Sequence, residues 1–170
     1  MRNEQLKKMN STNIRQAVED DAPEIHQMVM LLAKTTGFQD KIKSEIKDFK
    51  KHGFSEKSLF EALIAENNNK PVGLCLYYYT FSSWLGEPGI YIQDIYVNDS
   101  FQNQGIGKEL VKEAIKLGIR NGATHMRLSV DNKNIQAKYF YEKIGMKHRS
   151  DENFFHMGGE AFLSLIKEPK

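Results

Sequence analysis

The stretch QDIYVNDSFQNQGIGKEL, residues 93–110, decides how the chain is read. It passes from a β-like run into a helix-like run through a turn that holds two glycines, Gly105 and Gly107. The run before it, GIYIQDIYV, is rich in β-branched and aromatic residues. After it, Ile106, Leu110, Val111, Ala114 and Leu117 recur at helical spacing. At such a junction the first N–H groups of the helix are left without partners and can meet a phosphate. Glycine lets the backbone approach closely because no Cβ intervenes, and Lys108 adds a cation at the mouth. The loop is no Walker A sequence and no dinucleotide fingerprint: it lacks both glycine spacings, and no acid closes the unit. A tight loop with glycines for steric reasons is the plainer alternative.

Working outward, NIRQAV reads as a first strand and DDAPEIHQMVMLLAKTTG as a helix. Ile25, Met28, Val29 and Leu32 form the apolar face of that helix, Asp21 and Glu24 have capping-box spacing, and Gly37 ends it. IKSEIKDFKKHG is a shorter helix. SLFEALIAE and PVGLCLYYYTF are strands joined by a turn through Asn67 and Lys70. HMRLSV is a strand, NIQAKYFYEKIG a helix, and FFHMGGEAFLSLI a closing hairpin across Gly158 and Gly159. The expected order is β-α-α-β-β-β-α-β-α-β-β, an α/β (α+β) fold. Residues 1–12 read as a polar tail and residues 13–168 as one domain.

Composition narrows the function. The 170 residues hold 24 Lys and Arg against 22 Asp and Glu, interspersed, which gives no basis for a nucleic-acid or membrane partner. No run is apolar enough to span a bilayer, and the polar start, MRNEQLKKMNSTN, is no signal peptide, so the expectation is cytoplasmic. The single cysteine, Cys75, lies among apolar neighbours and reads as packing. No His/Cys cluster has metal-ligand spacing.

A second element lies downstream. Asn134, Ala137, Phe140 and Tyr141 share a helix, with Asn134 near its start and the Tyr141 phenol towards its end. With QNQGIG, this NIQAKYFYEKIGM element resembles the Gcn5-related N-acetyltransferase family, whose cofactor motif is Gln/Arg-x-x-Gly-x-Gly/Ala. Met146 stands where that family has an aromatic residue. YYYTFSSWLG and IQDIYV are similar to the spermidine/spermine (diamine) branch. The resemblance implies a mixed, mostly antiparallel sheet with helices on both faces, and acetyl-CoA as donor. It implies that Gln102, Asn103, Gln104, Gly105, Ile106, Gly107 and Lys108 cradle the pyrophosphate. The backbone of Ile95, Tyr96 and Val97 would pair with the pantetheine arm, with Asn134, Ala137 and Phe140 also at the cofactor. Tyr141 would give a proton to the sulfur. A homodimer is expected from the branch alone.

The acceptor would be the primary amine of a small molecule. Trp84 would be one wall of the amine site, or else a rim or dimer-contact aromatic. Gln93 departs from the branch, which commonly has glutamate there, and an amide cannot hold a proton. Asp94 is next to it, but strand neighbours face opposite sides unless a bulge intervenes, so Asp94 acts as base through water or is structural. His26, His52, His125, His148 and His156 stay open as bases. A polycation would need several carboxylates. The candidate regions offer Asp40, Glu87, Asp94, Asp151 and Glu152, while Gln39 and Gln93 are neutral, which favours a small amine in general over spermidine. The alternatives are a polyamine acetyltransferase, a protein N-terminus or lysine acetyltransferase, and a non-enzymatic acetyl-CoA binder.

Overall fold

A computed structural model describes residues 12–167. The chain groups into two compact units that divide between Asn134 and Ile135.

The first unit is a five-stranded sheet in the order β1-β2-β3-β4-β5. Its strands are β1 (Asn13–Gln16), β2 (Glu61–Asn67), β3 (Lys70–Ser82), β4 (Glu87–Val97) and β5 (His125–Leu128). The first four pair antiparallel, and β5 joins β4 parallel. Between β1 and β2 lie α1 (Ala22–Thr36) and α2 (Ile46–Gly53); between β4 and β5 lies α3 (Ile106–Arg120). The β2–β3 turn is a two-residue hairpin with Asn68 and Asn69 at φ 50° and 58°. Asparagine tolerates that left-handed pair better than most residues.

Helices cover both faces of the sheet. Ile25, Met28 and Val29 of α1 and Phe49 of α2 pack on Ala62, Ile64, Leu74, Leu76 and Tyr96. On the other face, α3 buries Ile106, Leu110, Val111, Ala114 and Leu117. It comes so close that a Cβ on Gly118 would lie 3.0 Å from Ile90 Cγ2. Each large aliphatic side chain so buried stabilises the unit by roughly 1.5–3 kcal/mol. Gly37, at φ 76°, ends α1 in a Schellman arrangement: Phe38 N–H reaches Ala33 O at 2.7 Å and Gly37 N–H reaches Lys34 O at 3.2 Å.

Two sequence expectations fail. Asp21 and Glu24 do not form a capping box. The Asp21 carboxylate instead accepts from Arg15 Nη1 and Nη2 at 2.7 and 2.8 Å and from Val18 N–H at 2.7 Å. A guanidinium and a fixed N–H together outcompete a cap on the helix. The closing hairpin is also absent. In the second unit, which begins with α4 (Ile135–Lys143), residues 152–158 form no strand and Gly159–Ser164 is a short helix, α5. Its apolar residues Ala161, Phe162, Leu163, Leu165 and Ile166 do not alternate, so no single strand face could bury them.

Candidate active site

The β3–β4 ladder slips by one residue. Leu76 pairs with Asp94, yet Tyr77 pairs with Ile92, which leaves Gln93 without a partner. This is a β-bulge, and it switches the faces of β4. Before it, Ile90 and Ile92 point towards α3, as the approach of Gly118 to Ile90 requires. After it, Ile95, opposite Cys75, and Val97, opposite Gly73, hold that face, while Tyr96 packs among the α1 and α2 residues. Alternation from both sides therefore puts Gln93 and Asp94 on the same face, the one α1 and α2 pack against. Neighbouring side chains that a regular strand would separate thus lie together.

The slip also opens an edge. The β4–β5 pairs end at Ile92 and Leu128. Beyond the bulge, residues 93–97 have β3 on one side and no strand on the other. Asn98 N–H donates to Val72 O at 2.9 Å, so in an antiparallel ladder the backbone of Asn98 and Tyr96 turns to β3. That of Ile95 and Val97 turns to the open side. The Val97 carbonyl accepts there from Gln102 Nε2 at 3.2 Å.

The glycine loop begins at this edge. Gln102 Nε2 also donates to Asp99 Oδ1 at 2.8 Å, so Gln102 braces the loop against the end of β4. Gln104 Nε2 donates to Ser100 O at 3.2 Å. Asn103 and Gly105 sit at φ 60° and 85°. A Cβ on Gly105 would meet nothing within 4 Å, so this glycine serves the backbone conformation and leaves open space above it. The first bond of the helical ladder is Glu109 N–H to Gly105 O at 3.1 Å. The N–H groups of Ile106, Gly107 and Lys108 come before it and point out of the helix start. Ile106 is buried by its side chain, and Lys108 is exposed. An unpaired strand edge leading to a helix start with free donors fits an extended chain that ends in a pyrophosphate.

Electrostatics separate the titratable groups. Asp94 is half-buried, and burial raises its pKa above the usual carboxylate range. Cys75 is fully buried, and burial, with help from the Asp94 charge, pushes its thiol up to about 12. His26 has Nε2 2.9 Å from Ser44 O and packs edge-on against Phe49. The His125 ring lies over Gly89, where a Cβ would overlap it. Trp84 sits in the β3–β4 turn and is 98% exposed, with Phe81 and Leu85 also exposed.

The other expected residues stand as follows. Asn134 precedes α4 rather than lying on it, and its N–H donates to Asp131 O at 2.9 Å. Within the second unit, α4 carries Ala137, Phe140 and Tyr141. Tyr141 is buried, with its ring edge-on to Phe140 at 5.0 Å. Arg149 pairs with Asp151 at 2.8 Å and with Glu152 at 3.3 Å, so these two acids share one guanidinium. The exposed Asp40 lies in the short turn Gln39–Lys41.

The comparisons agree with this geometry. The model of the acetyltransferase (GNAT) family matches residues 23–146. The chain is 32% identical over 168 residues to a thialysine N-epsilon-acetyltransferase of Sus scrofa, covering 92% of this chain and 98% of that one. It is 32% identical over 156 residues to a spermidine/spermine N(1)-acetyltransferase-like protein of Homo sapiens, covering 88% of this chain and 22% of the longer relative. Among solved structures, an integron cassette protein of V. cholerae superposes with a TM-score of 0.78 at 21% identity, over 93% of this chain and 99% of that one. With its order of strands and helices, its bulged β4 and its glycine loop, the chain belongs to the GNAT family and is an N-acetyltransferase.

Proposed function

We propose that the protein transfers the acetyl group of acetyl-CoA directly to the primary amine of a small molecule. The observation that carries this reading is the bulge at Gln93, which opens the edge of β4 and turns Asp94 to the same face as Gln93. Acetyl-CoA supplies the acyl group as a thioester. The residues that would hold it are Ile95 and Val97 through their backbone, and residues 102–108 through the helix-start N–H groups and Lys108. Ile95 N–H is the donor available to an oxygen that gains negative charge.

A primary ammonium has a pKa of about 10.4, so only roughly one amine in a few thousand is free at neutral pH. Asp94 takes the proton, directly or through a water. Burial suits it to this role by moving its pKa towards the working pH. Direct transfer is supported by Cys75, the only cysteine, which is buried and protonated and offers no thiolate. Tyr141 is the residue that family membership assigns as donor to the leaving sulfur.

Of the relatives named above, one is a thialysine acetyltransferase and the other is named for its likeness to spermidine/spermine acetyltransferases. A polyamine is the second reading. Gln93 weighs against it, since the bulge presents one carboxylate where a polycation would be served by two. Gln93→Glu should raise turnover of diamines if that charge is what limits them. We further propose a homodimer, supported by the exposed Phe81, Trp84 and Leu85 at the β3–β4 turn. A cytoplasmic setting is part of the same reading; among the described residues no helix is long and apolar enough to cross a membrane. Coenzyme A release over a panel of amines, polyamines, amino acids and peptides tests the reading. Turnover confined to peptides, or none with any acceptor, would contradict it.

A further inference from the structure

Between the bulge and the β3–β4 turn, the sheet face shared by Gln93 and Asp94 runs past the residues that α1 and α2 cover. Tyr78 and Tyr91 are paired across β3 and β4 there, with their rings stacked at 5.1 Å and 24°. Both are half-buried. Tyr91 donates its hydroxyl to Ser129 Oγ at 2.8 Å. On β5, Arg127 is in register with Tyr91. Residues in register on parallel neighbours share a face, as the His125 ring over Gly89 shows two pairs earlier, on the same face. Arg127 therefore stands beside the tyrosine pair on the acceptor side of the sheet. It is exposed, and no carboxylate among the described residues pairs with it. Arg15 and Arg149 each hold an acid at 2.7–2.8 Å, and Arg120, exposed like Arg127, lies on α3, away from the tyrosine pair.

We infer that Arg127 determines specificity by binding a carboxylate on the acceptor, so that the enzyme prefers an amino acid with a distal amine to the corresponding diamine. This rests on the amine acetylation proposed above. Strand geometry puts the backbone of Arg127 roughly 10 Å from that of Asp94, from about 4.8 Å between strands and about 3.3 Å per residue along them. The aliphatic spacer of a lysine-sized acceptor covers that distance once both side chains lean in. Its methylenes would lie on the Tyr78–Tyr91 pair, its distal amine at Asp94, and its carboxylate on the Arg127 fork, which suits a bidentate pair. A diamine would bring a second cation to Arg127 and be repelled.

The test compares matched acceptors, lysine against cadaverine and ornithine against putrescine, by kcat/KM from coenzyme A release. The wild type should favour the amino acid in each pair, by roughly tenfold or more, the worth of one charge-assisted hydrogen bond. Arg127→Gln should bring each ratio towards one through KM, Arg127→Lys should keep part of the preference, and Arg127→Glu should reverse it. A wild-type ratio near one, or a ratio unmoved by Arg127→Gln, would overturn the assignment while leaving amine acetylation intact. If no acceptor is turned over, acetylation itself fails, and calorimetric titration of lysine and cadaverine into the protein still decides on Arg127. Tighter lysine binding that Arg127→Gln abolishes supports it, and equal binding in both proteins overturns it.

Discussion

Asp94 stands directly opposite Leu76 in the β3–β4 ladder, on the face that α1 and α2 pack against. Leu76 is buried, and Asp94 shares enough of that burial for its pKa to be raised. The sign follows. A carboxyl with a raised folded-state pKa favours folding below its unfolded pKa, about 3.9, and that contribution is lost as pH rises through the folded value. At neutral pH the ionised Asp94 therefore costs stability. Asp94→Asn should match the wild type in melting temperature near pH 4 and exceed it at pH 7 to 8, while kcat/KM collapses. In the wild type the acid limb of the kcat/KM profile should lie above the ordinary carboxylate range. A variant less stable than wild type at pH 8 would mean that Asp94 is a structural anchor.

Arg15 and Asp21 predict the opposite pH dependence. The hydrogen bonds from Arg15, opposed by partial burial and joined by Val18 N–H, hold the Asp21 carboxyl below its usual range. Stability from this pair is present above the unfolded pKa and lost as pH falls through the folded one. Asp21→Asn should cost about 1–3 kcal/mol at pH 7, because the guanidinium and the Val18 N–H lose a charged acceptor. The difference from wild type should shrink on acidification. Denaturant melts at pH 7 and pH 3 check this, and a pH-independent difference would contradict it.

Gly105 separates backbone conformation from ligand contact. Any side chain there is strained at φ 85°, by about 1–2 kcal/mol for most residues and less for asparagine. Gly105→Asn should thus lose little stability and retain some stabilisation by acetyl-CoA in a thermal-shift assay. Gly105→Asp, nearly isosteric but negative, should lose that stabilisation. Equal responses of the two variants would mean that no phosphate approaches the loop.

Much of this was legible in the sequence, because α1, α3 and the antiparallel strands carry clean apolar periods and the Asn68–Asn69 turn carries its own chemistry. The bulge leaves a trace in the sequence. Ile90 and Ile92 are in phase with each other, and Ile95 and Val97 are one residue out of phase with them. One continuous β run hides a change of face at Gln93 and Asp94, since both phases look β-like locally. The role of Gln102 as a brace was not legible, because it depends on where Val97 O and Asp99 come to rest. The Asp21 cap failed for a similar reason: Arg15, on another element, takes the carboxylate. The closing hairpin failed because two adjacent glycines suggest a turn whether strands or a helix follow.

Tyr141→Phe should leave acetyl-CoA stabilisation intact and lower kcat by roughly a hundredfold, the usual contribution of a positioned acid. The loss should narrow with an acetyl thioester whose leaving thiol has a lower pKa, since that thiolate needs less help to depart. An equal loss with both thioesters would assign Tyr141 to packing.

The central claim is that an acetyl group passes directly to a primary amine at the β4 bulge, with Asp94 taking the proton. Mass spectrometry of mixtures of protein, acetyl-CoA and amine, run for wild type and Asp94→Asn, tests it most directly. The account predicts acetylated amine formed one-for-one with coenzyme A by the wild type, no acetylated protein, and a loss of roughly a hundredfold or more in Asp94→Asn that still binds acetyl-CoA. Equal rates in the two proteins, or acetyl groups found on the protein in place of the amine, would contradict it.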